Sequence, residues 1–158
     1  MCTAASLKGK VHCFGRNLDL ERSYNESVVM TPRNSCFPMR CTDDLTSHYA
    51  MIGMAHVVDD FPLYFDAVNE KGLAMAGLNF VGNADYKKTV ENRENVASFE
   101  FIPWILAQCA TVAQARQQIE KMNLTDTPFD ENLAPSQLHW IIADHDEAIT
   151  VESVREGI

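Results

Sequence analysis

Nineteen residues at the start of the chain, MCTAASLKGKVHCFGRNLD at positions 1–19, decide how the rest of it is interpreted. The short apolar run at 2–7 leads to a Lys-Gly-Lys segment at 8–10, which is typical of a tight turn. Residues 11–19 then have the composition of a returning strand. The stretch therefore predicts a β-hairpin whose two ends lie side by side.

Cys2 is the candidate nucleophile of this hairpin. An initiator methionine is normally removed before a small residue, so Cys2 would become N-terminal and carry a thiol and an α-amine together. An α-amine with a pKa near 7.7–8.0 can accept a thiol proton at neutral pH. Such a residue attacks carbonyl carbons. The alternative is a cysteine that occurs near the start of the chain by chance.

Arg16 and Asp19 return to Cys2 if the hairpin forms. The Arg16 guanidinium would then favour thiolate over thiol, and the Asp19 carboxylate would hold the α-ammonium or the thiol proton. The three side chains form a candidate catalytic cluster. The alternative is an ordinary surface ion pair between Arg16 and Asp19, which would contribute about 0–1 kcal/mol of stability.

The rest of the chain alternates strand signals with one helical stretch. Paired strand signals enclose the turn at 69–72 and the polar turn at 144–147, which predicts two more hairpins, and the return strand of the first delivers Asn79. Beyond the first hairpin, strands are predicted at 28–32, 49–55, 63–68, 73–78, 138–143 and 148–151.

Two helices are predicted between the second and third hairpins. Apolar residues recur at helical spacing from 98 to 109, and Thr111 has the N-cap position of a second helix, with Gln114 in the capping-box position. The second helix is predicted to carry three apolar residues, Ala115, Ile119 and Met122. Helices beside several strands predict an α+β fold of packed layers.

Composition excludes several classes of function. The chain has 46% hydrophobic and 22% charged residues, and no apolar run approaches the roughly 20 residues of a membrane helix. A formal net charge of −9 argues against a nucleic-acid partner, because phosphate binding needs clustered lysine and arginine.

The first residues lack the pattern of a secretory signal, which predicts a cytoplasmic protein. Five cysteines in such a protein favour free thiols over disulfides.

The sequence predicts neither a metal nor a nucleotide cofactor. The five histidines show no metal-site spacing, and Cys36 and Cys41 lack the second cysteine pair that a zinc site would need. The seven glycines are scattered and form no phosphate-binding loop. His139, inside an apolar strand, is interpreted as a structural histidine.

Seven short motifs are spread along the chain: MCT at 1–3, FGRNLD at 14–19, TPRN at 31–34, NEKGL at 69–73, AGLNF at 76–80, LHW at 138–140 and TVE at 150–152. Together they resemble those of the choloylglycine hydrolases, a family of N-terminal-nucleophile hydrolases that includes bile salt hydrolases and penicillin V acylases. The resemblance implies an αββα sandwich and, in family members, a homotetramer. Those enzymes are about twice as long as these 158 residues, so residues 1–158 are expected to form a single, C-terminally incomplete domain of a truncated sandwich.

The resemblance also implies a reaction. In such enzymes the sulfur at the position of Cys2 attacks an amide carbonyl, the amine leaves, and water hydrolyses the thioester. Arg16 and Asp19 match the residues beside the nucleophile, and Asn79 matches a residue that stabilises the oxyanion. Asn79 could instead be a turn residue. A second oxyanion asparagine and another arginine of the family fall beyond Ile158.

The expected substrates are glycine- or taurine-conjugated bile salts. The family's penicillin V acylases usually have tyrosine where this chain has Asn79, whereas bile salt hydrolases have asparagine. Leu18, Phe65 and Phe129 fall where the family's apolar substrate contacts come from, although each could equally be core. Two alternatives remain: a penicillin V acylase-like amidase, and a catalytically inactive fragment that acts only by association.

Overall fold

The computed structural model describes residues 2–19, 21 and 23–158, and the helices and strands below are those of this described part. A 3-10 turn, Ser98–Glu100, precedes the first helix. In chain order the elements are β1 (Thr3–Lys8), β2 (His12–Asn17), β3 (Ser27–Thr31), β4 (Met51–Val58), β5 (Phe61–Asn69), β6 (Ala74–Asn79), β7 (Glu94–Ala97), α1 (Phe101–Gln108), α2 (Val112–Ile119), β8 (Met122–Thr125), β9 (Leu138–Ala143) and β10 (Ala148–Val151).

A six-stranded antiparallel sheet forms the centre of the fold, in the order β10-β9-β6-β5-β4-β3. All the strands predicted from the sequence are present, with their ends shifted by up to three residues. The three predicted hairpins, β1–β2, β5–β6 and β9–β10, are confirmed. The two helices observed have eight residues each, so no helix of the described chain is long enough to cross a membrane.

The helical region agrees with the sequence prediction at its start and differs at its end. Thr111 is the N-cap of α2 and its Oγ1 accepts a hydrogen bond from the Gln114 N–H at 3.3 Å. The Gln114 side chain reaches one residue further back than a capping box requires and accepts from the Ala110 N–H at 2.7 Å. The prediction that Met122 belongs to this helix is wrong. Met122 begins β8, which pairs in parallel with β7, a strand that the sequence analysis also missed.

The main core lies between one face of the sheet and α1. Side chains alternate between the two faces of a strand, so Met51, Ala67 and Met75 all point toward α1, where each is at most 5% exposed. From the other side of this interface, α1 contributes residues 101–107, all of which are buried. Burial of this apolar surface is the main source of stability of the fold.

Asn69 ties α1 to the sheet at the turn between β5 and β6. Its side-chain amide donates to the carbonyl oxygens of Leu106 and Cys109, at 2.8 and 2.7 Å, and so caps the C-terminal end of α1. Its Oδ1 accepts from the N–H groups of Lys71 and Leu73, at 3.0 and 3.1 Å. The buried amide is therefore fully hydrogen-bonded, which fixes the β5–β6 turn against the helix.

The hairpin β1–β2 forms a separate two-stranded sheet and lies over β6 on the face opposite α1. Ala74 and Ala76 on that face of β6 are 2% and 0% exposed. Away from β6 the hairpin and the sheet enclose an open groove of about 910 Å³, with Phe14 on the hairpin side and Ile52 and Val68 on the sheet side. We call this space the hairpin groove.

A β-bulge interrupts the pairing between β4 and β5. Met54 lies opposite Asp66, but the next residue of β4, Ala55, lies opposite Tyr64. Phe65 is thus the extra residue of β5. Because of this extra residue, Tyr64 shares a face with buried Ala55 and is itself buried.

Candidate active site

A cavity of about 220 Å³ lies where the open ends of the hairpin β1–β2 meet the end of β6, the bulged tip of β5 and the segment 129–138. We call it the Cys2 cavity. It brings together six of the seven site residues predicted from the sequence: Cys2, Arg16, Leu18, Asn79, Phe65 and Phe129.

The register of the hairpin places Cys2 at the cavity. Thr3 pairs with Asn17, so the residues just outside this pair, Cys2 and Leu18, come together at the open end. Cys2 is half-buried. Among the five free cysteines it is the one that lines this cavity, whereas burial raises the pKa of the Cys109 thiol to about 11 and keeps it protonated at neutral pH.

Arg16 enters the cavity wall from β2 and is 7% exposed. Its Nη2 donates to the carbonyl oxygen of Gly77 in β6. Its Nε lies 3.5 Å from the Oδ2 of Asp66 in β5, so the hairpin is joined to the central sheet by a largely buried ion pair. An ordinary surface ion pair between Arg16 and Asp19, the alternative, does not fit the burial of the Arg16 side chain.

Asp66, which the sequence analysis missed, lines the hairpin groove and holds Arg16 in the wall of the Cys2 cavity. Its carboxylate is 19% exposed and also accepts from the Met54 N–H at 3.4 Å, beside the bulge. Burial raises the pKa of Asp66, while the Arg16 guanidinium opposes that rise. No local pattern marks this residue, because its partner is fifty positions away in the sequence and is brought near only by the fold.

Asn79 is the last residue of β6 and pairs with Leu138 of β9. It is exposed and lies two residues beyond Gly77, whose carbonyl Arg16 holds. The alternative that Asn79 is a turn residue is wrong, since it ends a regular strand. Its amide therefore stands on a rigid element at the cavity, as an oxyanion donor requires.

Asp19 is exposed and lies two residues after the end of β2. It follows Leu18, which lines the cavity, but Asp19 is itself outside the lining. Its role beside the nucleophile stays a prediction.

The apolar side of the cavity has three predicted contacts. Leu18 and Phe65 are half-buried, and the ring centre of Tyr24 lies 6.4 Å from that of Phe65. Phe129 is 8% exposed and packs its ring against Phe61 and Phe99, with ring centres 5.4 and 5.3 Å apart. Phe129 therefore serves both as core and as cavity wall.

Further lining residues come from a segment that carries no periodic signal. Residues 133–136 border the cavity, and in the sequence they form part of a loop between β8 and β9 that has no strand or helix pattern; Leu138, the first residue of β9, borders it as well. Composition could have indicated only that this loop is partly apolar.

Several buried nitrogen atoms at the cavity have no hydrogen-bond partner among the described residues. Three are donors, the Nε and Nη1 of Arg16 and the Nε1 of Trp140, and the fourth is the Nδ1 of His56, which donates or accepts according to its tautomer. All three residues line the cavity. The Arg16 Nε is close to Asp66 as an ion pair but makes no hydrogen bond to it. Buried donors without partners are costly, so this arrangement favours a ligand that carries oxygen acceptors. In the described part of the chain, no group of three or more His, Cys, Asp or Glu side chains is placed to hold a metal ion.

Comparison with known proteins decides the family. A profile described as linear amide C–N hydrolases, choloylglycine hydrolase family, matches residues 2–158. The chain belongs to the choloylglycine hydrolase family. The resemblance inferred from the motifs is thereby confirmed.

Curated members of the family are bacterial and similar along the whole of this chain. A bile salt hydrolase/transferase of Lactiplantibacillus plantarum is 48% identical over 100% of the chain, which covers 49% of that protein. A bile salt hydrolase/transferase of Clostridium perfringens is 38% identical over 100% of the chain and 50% of that protein. The chain thus spans about half the length of the curated relatives it matches.

Solved structures confirm the fold class. The crystal structure of the C2A mutant of the conjugated bile acid hydrolase from Clostridium perfringens matches 99% of this chain and 49% of its own, with a TM-score of 0.93 and 38% identity. A penicillin V acylase from Agrobacterium tumefaciens matches 98% of this chain and 43% of its own, with a TM-score of 0.65 and 19% identity, which is a likeness of fold alone. The expected α+β fold of N-terminal-nucleophile hydrolases is correct.

Proposed function

We propose that this chain hydrolyses the amide bond of glycine- or taurine-conjugated bile salts, with Cys2 as N-terminal nucleophile. The observation that carries the proposal is one cavity lined by a half-buried thiol, a buried guanidinium, a strand-end amide and apolar side chains. Relatives named as bile salt hydrolases and conjugated bile acid hydrolases support it. The proposal extends to one catalytic domain that includes residues 1–158.

The first half of the reaction forms a thioester. Removal of Met1, which lies outside the described residues, frees the α-amine of Cys2 to take the thiol proton. The sulfur adds to the amide carbonyl, and the negative charge that develops on the oxygen is held by the side-chain amide of Asn79. One such fixed donor typically contributes about 2.7–4 kcal/mol to lowering the barrier. The amine then leaves with the proton, and a thioester to Cys2 remains.

The second half of the reaction releases the acid. Water adds to the thioester, the α-amine of Cys2 takes its proton, and the carboxylic acid leaves as the thiol re-forms. The positive charge of Arg16 supports the thiolate in both halves, and Asp19 orients the α-ammonium. Gly77 and Asp66 hold the Arg16 guanidinium in place between hairpin and sheet.

The apolar part of the cavity supports a large hydrophobic acyl group. Leu18, Phe65 and Phe129 would pack against the steroid, which presents rigid apolar faces of the kind such pockets accept. Asn79 favours this substrate class over penicillin V. A cytoplasmic location and a homotetramer complete the proposal, and both rest on the family resemblance and on sequence composition.

The proposal is tested by intact mass and amine release on the purified chain. We expect a mass without Met1 and release of glycine from glycocholate and taurine from taurocholate. Cys2→Ser should abolish release, whereas Cys13→Ser, which removes an exposed thiol from the same hairpin, should leave it unchanged. Release that survives Cys2→Ser would contradict the proposal.

Two further outcomes separate the alternatives. Release of phenoxyacetate from penicillin V in preference to glycine from glycocholate would favour the acylase-like amidase. A chain without Met1 that releases nothing from either substrate would favour an inactive fragment that acts by association.

A further inference from the structure

The loop between β3 and β4 is fastened to the apolar wall of the Cys2 cavity. Phe37 and Leu45 exchange two backbone hydrogen bonds of 2.9 Å each, which closes residues 37–45 into a compact loop. We call it the latch loop. At its tip the Arg40 Nη2 donates to the carbonyl oxygen of Phe129 at 3.2 Å, and the guanidinium carbon lies 5.1 Å from the centre of the Phe129 ring.

The two residues that follow Arg40 strengthen this attachment. The Cys41 Sγ lies 3.5 Å from the Oγ1 of Thr127, two residues before Phe129. The Thr42 Oγ1 donates to the Glu94 carboxylate at 3.2 Å. Arg40 and Cys41 therefore both contact the segment 127–129, and Thr42 attaches the same loop to the start of β7, so the position of Arg40 is defined by several contacts.

A buried carboxylate holds the backbone of Arg40. Glu100 is 0% exposed, and its two oxygens accept from the N–H groups of Arg40 and Ala97, at 2.6 and 3.1 Å. Burial raises the pKa of Glu100, and these two hydrogen bonds oppose the rise. A buried charge is costly unless it is hydrogen-bonded, so the pairing of Glu100 with the Arg40 N–H favours the docked position of the latch loop.

Phe129 connects the docked latch loop to the wall of the Cys2 cavity. Its N–H donates to the Leu133 carbonyl oxygen at 3.1 Å, and the Asp130 carboxylate accepts from the Leu133 N–H at 2.8 Å. Residues 129–133 are thus one hydrogen-bonded turn, and both ends of it line the cavity. A shift of the Phe129 backbone, whose carbonyl Arg40 holds, would therefore move Leu133 as well.

We propose that Arg40 is a positioning residue that sets the apolar wall of the Cys2 cavity through Phe129 and thereby determines affinity for the acyl part of the substrate. Arg40 lies outside the cavity lining and touches no reacting atom. The inference rests on the proposed function, because it assigns the wall against which the steroid packs.

Arg40→Met and Arg40→Lys test the inference, with Arg93→Met as the matched control. Arg93 is also exposed and also donates to a backbone carbonyl, that of Glu120 at 2.5 Å, but away from the cavity. In Arg40→Met we expect the KM for glycocholate and the Kd for cholate, the unconjugated acid, each to rise about three- to tenfold. The value of kcat should stay within about twofold, since the reacting groups are untouched.

Arg40→Lys tests the geometry of the contact with Phe129 in a variant that keeps the positive charge. It keeps a cation above the Phe129 ring but loses the planar fork, so its KM and Kd should fall between those of the parent and of Arg40→Met. If Arg40→Met fails to fold, Arg40→Lys decides alone, and an unchanged KM and Kd in that variant would overturn the inference.

A double-mutant cycle with Phe129→Ala shows whether Arg40 acts through Phe129. In the Phe129→Ala background, Arg40→Met should have little further effect on the Kd for cholate. Fully additive effects, or a fall in kcat at constant KM, would overturn the inference.

Cholate binding also distinguishes this inference from the proposed function. If the parent chain binds cholate but releases no amine, the proposed hydrolysis fails, and the Kd values of the Arg40 variants still decide the role of Arg40. If the parent chain does not bind cholate, both fail together.

Discussion

The two faces of the six-stranded sheet carry apolar residues in the same alternating pattern but differ in what covers them. Under α1, Met51, Ala67 and Met75 are at most 5% exposed. On the other face, Met30 and Ile52 are 68% and 45% exposed, because the hairpin β1–β2 lies over β6 and leaves the groove beside it open. Apolar burial, and with it stability, is thus concentrated on the helix-covered face, whereas the hairpin-covered face leaves room for the groove and for the ion pair between Arg16 and Asp66.

The ion pair between Arg16 and Asp66 belongs to that second face. It joins the hairpin to the sheet where the Cys2 cavity begins, and it does so with charges and a hydrogen bond to a strand carbonyl instead of packed apolar groups. A buried ion pair of this kind adds little net stability but fixes the Arg16 cation in the wall of the Cys2 cavity.

Neighbouring residues of β4 give the largest expected difference between the faces. Met51→Ala should lower the free energy of unfolding by about 2–4 kcal/mol, because it leaves a cavity in the core. Ile52→Ala should lower it by less than about 1 kcal/mol, because the side chain is half exposed. Urea unfolding followed by circular dichroism measures both. Equal losses of unfolding free energy in the two variants would mean that the sheet face carrying Ile52 is covered in solution.

Arg16→Met should lower stability by an amount between those expected for Met51→Ala and Ile52→Ala. It leaves the Asp66 carboxylate without its cation, so the pKa of Asp66 should rise further, and stability at neutral pH should fall by about 1–2 kcal/mol. Carbon-13 NMR of the aspartate carboxyl groups follows the titration. Arg116→Met, which breaks the exposed pair with Glu147, is the control and should leave the titration of Asp66 unchanged. The same Asp66 titration in both variants would contradict the ion pair.

The smallest effect on stability is expected in the exposed turn between β5 and β6. There Glu70 accepts from the Arg33 side chain and, at 2.9 Å, from the Ala50 N–H. These bonds lower the pKa of Glu70 to about 2. A lowered pKa contributes stability that is complete above the ordinary pKa of 4.5 and is lost as the pH falls toward about 2. The stability difference between the parent and Glu70→Gln should therefore shrink over that range.

Unfolding by urea at pH 7 and at successively lower pH values measures this difference. Arg33→Gln removes the other partner and should show the same pH dependence. A difference between parent and Glu70→Gln that stays constant with pH would rule out the lowered pKa.

The local parts of this fold could be predicted from the sequence. A turn signal between two strand-like runs predicted each hairpin, and Thr111 predicted the start of α2, because these structures depend on residues a few positions apart. The hairpin ends then followed from antiparallel pairing, which explains why Cys2 and Arg16 could be placed at one site before the fold was known.

The parts that depend on distant pairing could not be predicted. The contact of Arg16 with Asp66 joins different sheets, and that of Arg40 with Phe129 joins two loops. The short strands β7 and β8 pair in parallel across α1 and α2, and Met122 fits helical spacing as well as a strand. Periodicity along a sequence carries no information about such contacts.

The bulge at Phe65 constrains the number of residues in the β4–β5 hairpin. Because one extra residue shifts the alternation of side chains at the tip of β5, Tyr64 is buried opposite Ala55, and three successive residues, Leu63, Tyr64 and Phe65, line the Cys2 cavity. Substitution within this tip changes one contact, but deletion of a single residue would exchange the inward and outward sets together. Among natural variants of this domain, the β4–β5 hairpin should therefore tolerate changes of residue type and resist insertions and deletions.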